Sequence, residues 1–228
     1  MQLIIGNKNY SSWSMRAWLL MTHAGIAFQE VKLRLSLDEA SPFKQFVAQH
    51  SPAGRVPVLI DDGFAVWDTL AIAEYLVEKF PALHLWPVAP LQRARARSLC
   101  AEMHAGFAAL RNHCGMNIEA SLPEIGSRLM SEQADVRRDL QRIDQMWCEQ
   151  LERTGGPFLF GDFSIADAFY APVCTRIRTY ALPVSAASQA YAERMFALPA
   201  MKSWIADALD EHDFIAEDEP YRTAGTAS

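Results

Sequence analysis

The sequence has no apolar run approaching the roughly 18 residues that a membrane-spanning helix needs, which excludes an evident helical membrane anchor. It also has no surplus of positive charge. Its 27 acidic and 21 basic residues leave a formal charge of -6, which argues against a broad nucleic-acid surface and leaves a small molecule as the expected partner. Only Leu3-Ile4-Ile5 precede the first polar turn, without the charged start and apolar core of a secretory leader. Cysteine is scarce and scattered: Cys100, Cys114, Cys148 and Cys174 form no Cys-x-x-Cys pair. That spacing fits buried thiols in a reduced cytoplasmic protein and speaks against a disulfide framework or a zinc site. There is no internal repeat, low-complexity tract or long block of one charge, which excludes repeat and charged-tail architectures. What is present is a chain of 228 residues, half of them apolar, with enough material for one large or two small packed domains.

Residues 2–6 have the apolar continuity of a buried strand, and 14–24 carry Met15, Trp18, Leu19 and Thr22 at helical spacing until Gly25. Phe28 to Leu33 alternates apolar and polar, predicting a second strand with one face buried and completing a β-α-β unit. Ser41-Pro42 then caps and starts a helix over 42–50. After the break at Ser51-Pro52-Ala53-Gly54, Val56 to Ile60 reads as a strand, and Asp62-Gly63 turns it into a hairpin with Phe64 to Trp67. Asp68-Thr69 caps a further helix to about Lys79. Pro81, Pro87 and Pro90 mark a linker over 81–90 between an α/β domain of residues 1–80 and an all-α domain of residues 91–228. Helices are expected there over 91–113, 127–153, 164–180, 186–197 and 199–211.

Two short stretches stand out. Tyr10-Ser11-Ser12-Trp13-Ser14-Met15-Arg16 places three hydroxyls at a strand-to-helix junction, where unpaired N–H groups and the helix dipole favour an anion. The same residues also suffice as a polar turn with Ser14 as the helix cap. Gly161-Asp162-Phe163-Ser164-Ile165-Ala166-Asp167 has the spacing of a capping box with a shorter acid, a structural device for the helix that follows.

A β-α-β-α-β-β-α order with a proline entering the third strand resembles the thioredoxin fold, in which that proline is cis. With the helical remainder, nearly the whole chain resembles a cytosolic glutathione S-transferase. Ser51-Pro52-Ala53-Gly54-Arg55-Val56-Pro57-Val58-Leu59 matches the family's Asn-Pro-x-Gly-x-Val-Pro-x-Leu pattern, and Asp68-Thr69-Leu70-Ala71-Ile72 matches its Glu/Gln-Ser-x-Ala-Ile pattern. The segment ending at Asp167 matches its second-domain folding motif. The serine-rich turn is similar to the zeta-class Ser-Ser-Cys-Ser-x-Arg turn.

The resemblance implies glutathione as co-substrate, no metal, and Ser11 as the catalytic hydroxyl that donates to the glutathione thiolate, the nucleophilic form. It assigns Ser12 of the same turn to glutathione binding, the backbone of Val56-Pro57 to the cysteinyl unit, Asp68 and Thr69 to the γ-glutamyl group, and Arg55 to the glycyl carboxylate. Helix capping competes with the role of Asp68 and Thr69, and the two are compatible. Between the domains, Trp13, Met103, Phe107, Arg111 and Arg176 are candidates to meet a small electrophile. Met103 and Phe107 read equally as core. Arg111 and Arg176 can either steer an anionic substrate or pair with acids on helix surfaces, and the second is favoured.

The activity implied is conjugation of glutathione to an electrophile in detoxification, by a cytoplasmic homodimer. Two alternatives stand beside it. One is glutathione-dependent cis-trans isomerisation of the maleylacetoacetate type, set back because Trp13 replaces the zeta cysteine. The other is a non-catalytic binding or regulatory protein that keeps the fold. Asp68 is one methylene shorter than the usual glutamate, which alters how an ammonium would be held.

Overall fold

The computed structural model describes residues 1–222. Its sheet is built from β1 (Gln2–Ile5), β2 (Gln29–Lys32), β3 (Val58–Asp61) and β4 (Phe64–Trp67), in the order β2-β1-β3-β4. β1 and β2 are parallel, which requires a crossover, and α1 (Ser12–His23) supplies it. α2 (Pro42–Ala48) starts with Pro42, as expected from the Ser41 cap, whose hydroxyl accepts the Lys44 N–H at 3.2 Å. β3 and β4 form the expected hairpin, with φ of +47° at Asp62 and +83° at Gly63. Left-handed values at both turn positions suit the twist of the strands. α3 (Thr69–Lys79) follows directly.

β1 is buried on both faces, with Leu3 and Ile5 in the large core and Ile4 packed with Phe43, Val47 and Val58 on the opposite side. β2 departs from its expected half-buried pattern. It is an edge strand with Gln29, Glu30 and Lys32 exposed, and charged residues protect such an edge from further pairing.

The remaining residues form α4 (Pro90–Ala105), α5 (Ala108–His113), α6 (Pro123–Glu132), α7 (Ala134–Thr154), α8 (Ile165–Tyr180), α9 (Ala186–Ala197) and α10 (Pro199–Asp210). Two helices expected as continuous are broken. The helix expected over 91–113 stops at Gly106-Phe107, where Phe107 has φ +54° and the new Leu110 N–H is accepted by Asp139 at 3.0 Å. The helix expected over 127–153 is instead α6 and α7, divided at Gln133. Arg137 of α7 donates to the Met130 and Ser131 carbonyls at 2.7 and 2.9 Å, satisfying acceptors that the end of α6 leaves open. No helix among the described residues is long and apolar enough to cross a membrane.

α1 is the centre of the molecule. It packs on α3, α8 and α10, and its residues Ser14 to Met21 are all buried. Its neighbour Lys8 is 2% exposed, bonded to Glu30 at 2.8 Å and Asp207 at 2.6 Å. The same ammonium lies 4.6 Å from the Trp18 ring centroid and 5.4 Å from that of Trp204. A buried cation of this kind is tolerable only with such partners.

Candidate functional site

The turn from β1 into α1 is capped by Ser11, not by the expected Ser14. Ser11 Oγ accepts the Ser14 N–H at 3.4 Å and its hydroxyl donates to Ser14 Oγ at 2.7 Å. Ser14 Oγ also accepts the Gly6 N–H at 3.1 Å, which ties the end of the strand to the first turn of the helix. Ser11 and Ser12 are 7% and 9% exposed, at the positive end of a buried helix. Among the described residues, no hydrogen-bond partner is found for the Ser12 hydroxyl.

Sheet register carries two further features to the same edge. Val58 pairs with Ile4 near the end of β1 and with Trp67 at the end of β4. The Val56-Pro57 step before β3, which is cis, and the Asp68-Thr69 start of α3 therefore flank the Ser11 turn. Asp68 adopts φ +75°, a conformation that costs a non-glycine residue free energy and that a tightly specified site sustains. Its Oδ1 accepts the Leu70 N–H at 2.8 Å, while Oδ2 faces His104 Nε2 at 3.4 Å. Capping and an exposed acid thus coexist in one side chain. Thr69 is 1% exposed and its Oγ1 has no partner among the described residues. Arg55 is exposed, and no ion pair involves it among the described residues.

Trp13 projects from the same turn against α4, with its ring 5.1 Å from His104 in edge-on contact. Arg16 lies behind it, 4.3 Å from the Trp13 ring and 5.1 Å from that of Phe169. Arg16 is 1% exposed, and its Nε and Nη1 have no hydrogen-bond partner among the described residues. Burial first, and then the charges of Arg176 and Arg111, lower its pKa to about 9, so it stays cationic near neutrality. Arg176, also buried, is lowered to about 10, chiefly by burial. It donates to the Cys114 carbonyl and leaves Nε without a partner among the described residues. Arg111 lies 5.7 Å from the Trp13 ring and donates to the His104 carbonyl at 3.3 Å.

Among the described residues, the favoured pairing of Arg111 and Arg176 with helix-surface acids is therefore not formed. Their partners are backbone carbonyls and aromatic faces. Met103 is fully buried in the core and presents no surface to the cleft, whereas Phe107, 7% exposed, sits where its left-handed backbone turns the chain. Sequence reasoning passed over Arg16. A signal existed for Arg16: it falls on a helix, Ser12-Trp13-Ser14-Met15-Arg16-Ala17-Trp18-Leu19-Leu20, that contains no acid to pair with it.

Apart from Trp147 Nε1, every buried side-chain atom left without a partner among the described residues belongs to Arg16, Thr69, His104 or Arg176. Buried polar groups are normally satisfied, so this grouping marks a place built for something else. The donors of Arg16, Thr69 and Arg176, with the starts of α1 and α3, can hold anions.

Residues 10–79 match the family model of the glutathione S-transferase N-terminal domain, and residues 91–207 match that of its C-terminal domain. A maleylacetoacetate isomerase from Rattus norvegicus is 26% identical over 178 residues, covering 77% of this chain and 78% of the relative. A probable maleylacetoacetate isomerase from Caenorhabditis elegans is 34% identical over 101 residues, and that match covers 44% of this chain and 45% of the relative. A glutathione transferase homolog from Burkholderia gl BGR1, solved with bound glutathione, superposes with TM-score 0.69 at 24% identity, over 92% of this chain and 98% of that one. At such identity the likeness establishes the fold: a thioredoxin-like α/β sheet unit followed by helices. By its two matched domains, the chain belongs to the glutathione S-transferase family.

Proposed function

We propose that the protein is a glutathione transferase that holds glutathione as a thiolate beside Ser11 and directs it onto a small electrophile bearing an anionic group. The observation that carries this reading is the set of unpartnered buried polar atoms of Arg16 and His104 beside Trp13 and of Thr69 at the start of α3. Ser11 keeps its Ser14 N–H contact while its own hydroxyl hydrogen turns from Ser14 Oγ toward sulfur. Val56 offers backbone groups to the cysteinyl unit, Asp68 faces the γ-glutamyl ammonium, and Thr69 Oγ1 with the start of α3 receives the γ-glutamyl carboxylate. Arg55 takes the glycyl carboxylate. The enzyme then works by lowering the thiol pKa and by proximity.

The electrophile class follows from Arg16, Arg111 and Arg176. A buried cation without an anion is costly, and a bound carboxylate removes that cost. Arg16→Met keeps an apolar chain between Trp13 and Phe169 while deleting the charge. Its kcat/KM should fall by roughly 30-fold or more for a carboxylated electrophile, the loss typical when one partner of a buried charge pair is removed. For a neutral analogue of the same reactivity it should change little. Equal losses for both substrates would remove the arginines from substrate selection, and failure of the native protein to bind glutathione in calorimetry would favour the non-catalytic reading.

The relatives named maleylacetoacetate isomerase support the isomerase alternative, with Trp13 in place of the cysteine as the point against it. A maleyl-type substrate in the same assay separates the two. The family reading also seats a second copy of the chain on the β4-α3 face, where Phe64 is 65% and Trp67 41% exposed. Phe64→Glu should then shift the assembly from dimer to monomer in sedimentation. A cytoplasmic role in detoxification completes the reading, in keeping with four free thiols.

A further inference from the structure

Asn7, Lys8, Asn9 and Tyr10, the loop leading into Ser11, form neither strand nor helix, yet they are only 3, 2, 1 and 6% exposed. A buried loop must find partners for its polar groups inside the protein. Asn7 Oδ1 accepts the Leu35 N–H and Asn9 Oδ1 the Ile118 and Glu119 N–H groups, and the other partners lie some 200 residues away in sequence. Glu211 accepts the Lys8 N–H at 2.7 Å and the Asn9 N–H at 3.2 Å, one on each carboxylate oxygen. Asp213 accepts from Asn7 Nδ2 at 2.9 Å, and Glu219 accepts the Tyr10 hydroxyl at 2.5 Å. The Asn7 carbonyl in turn accepts the Ser11 N–H at 2.8 Å, so the last step reaches the candidate catalytic residue itself.

The segment that provides these acids is itself fixed in place. Lys32 pairs with Glu211 and Arg34 with Asp213, each at 3.0 Å. Ile215 is 5% exposed, and the Tyr221 hydroxyl donates to the His113 carbonyl at 2.8 Å. Carboxylate bonds to amides are among the stronger protein hydrogen bonds, and a displacement of about 1 Å in a reacting group can cost about a hundredfold in rate.

We propose that residues 211–221 form a strap that sets the position of Ser11, with Glu211 and Glu219 as positioning residues for the thiolate contact. The proposal rests on the glutathione reading above. Glu211 acts through two amides and Glu219 through Tyr10, and neither needs to touch the ligand.

The test uses the full chain carrying Glu211→Ala, Glu211→Gln or Glu219→Ala, with Glu217→Gln as a charge control from the same segment. Two quantities are read: amide exchange at Ser11 and Ser12, and the thiol pKa of bound glutathione from its ultraviolet thiolate absorbance. In Glu211→Ala, exchange should quicken by about tenfold or more, the consequence of losing two buried acceptor bonds. The bound thiol should titrate about one unit higher, with kcat falling more than KM rises. Glu211→Gln, which keeps an acceptor for one amide, should recover part of both, and Glu217→Gln should match the native protein.

Native exchange and native thiol pKa in a folded Glu211→Ala would overturn the proposal. So would quickened exchange with an unmoved thiol, which leaves the strap as cover alone. If Glu211→Ala does not fold, Glu219→Ala and Tyr10→Phe each remove the Tyr10–Glu219 bond and carry the same readouts. If the native protein does not depress the glutathione thiol at all, the transferase reading fails, and exchange at Ser11 and Ser12 alone decides whether the strap positions the turn.

Discussion

Ser11→Ala is expected to lower kcat/KM for glutathione-dependent turnover by roughly a hundredfold to a thousandfold, as removal of one donor aimed at a reacting anion does elsewhere. The same substitution removes the cap of α1, whose contacts run to Ser14 Oγ and N–H. Loss of a cap costs about 1 kcal/mol and lowers thermal stability, but it does not raise the pKa of a bound thiol. The two effects separate when the acid limb of the pH–rate profile is measured beside a denaturation curve. A thiolate contact at Ser11 moves that limb upward in the mutant, because more alkali is needed to form the nucleophile. Ser12→Ala is the companion variant. If the rate loss follows Ser12 while Ser11→Ala costs only its cap, the donor is Ser12.

The second large effect concerns stability. Asp167, fully buried at the start of α8, accepts the Leu159 N–H at 3.1 Å and the Tyr191 hydroxyl at 3.0 Å on one oxygen. Its other oxygen accepts the Ser164 N–H at 2.9 Å and the Ser164 hydroxyl at 3.0 Å. Asp167→Ala strands all of these donors around a void in the helix that contacts α1, so unfolding should become easier by about 3–5 kcal/mol in chemical denaturation. Burial, opposed by these hydrogen bonds, raises the carboxyl pKa to about 6. The unfolded value is about 3.9, so between the two the unfolded chain has ionised while the folded one still holds its proton. This group's contribution therefore weakens as pH rises from about 4 to 6 and is level above that. A melting series over this range in native protein and Asp167→Asn isolates it, since asparagine does not titrate.

Much of this architecture was legible because local chemistry and global fold agree. Asp62-Gly63 has little choice but a tight hairpin, Pro42 can start a helix but not continue one, and the Asp167 box announces α8. The helix breaks were hidden for a physical reason. Leu99, Met103, Phe107 and Leu110 keep one apolar stripe through the interruption at Gly106-Phe107, since Phe107 returns to the core by a left-handed turn that periodicity does not record. At the candidate site, Ser11, Pro57, Asp68 and Thr69 were brought together by the family motifs that their segments resemble. Arg16 was not, because arginine is usually solvated and its burial here depends on Phe169, more than 150 residues later. Arg111 and Arg176 were misjudged likewise: their nearest acids in sequence are not their neighbours in space.

Lys8 gives the molecule a constraint on inheritance. Its ammonium is held by Glu30 from the sheet unit and by Asp207 from α10, between the rings of Trp18 and Trp204. Grafting the first 80 or so residues onto the helices of a different family member would leave that cation facing a foreign surface. Unless the donor of the helices also offers an acid at that place, the hybrid loses a partner that the buried charge requires. The two halves are therefore not freely interchangeable parts: Lys8 and Asp207 must travel together when such genes recombine.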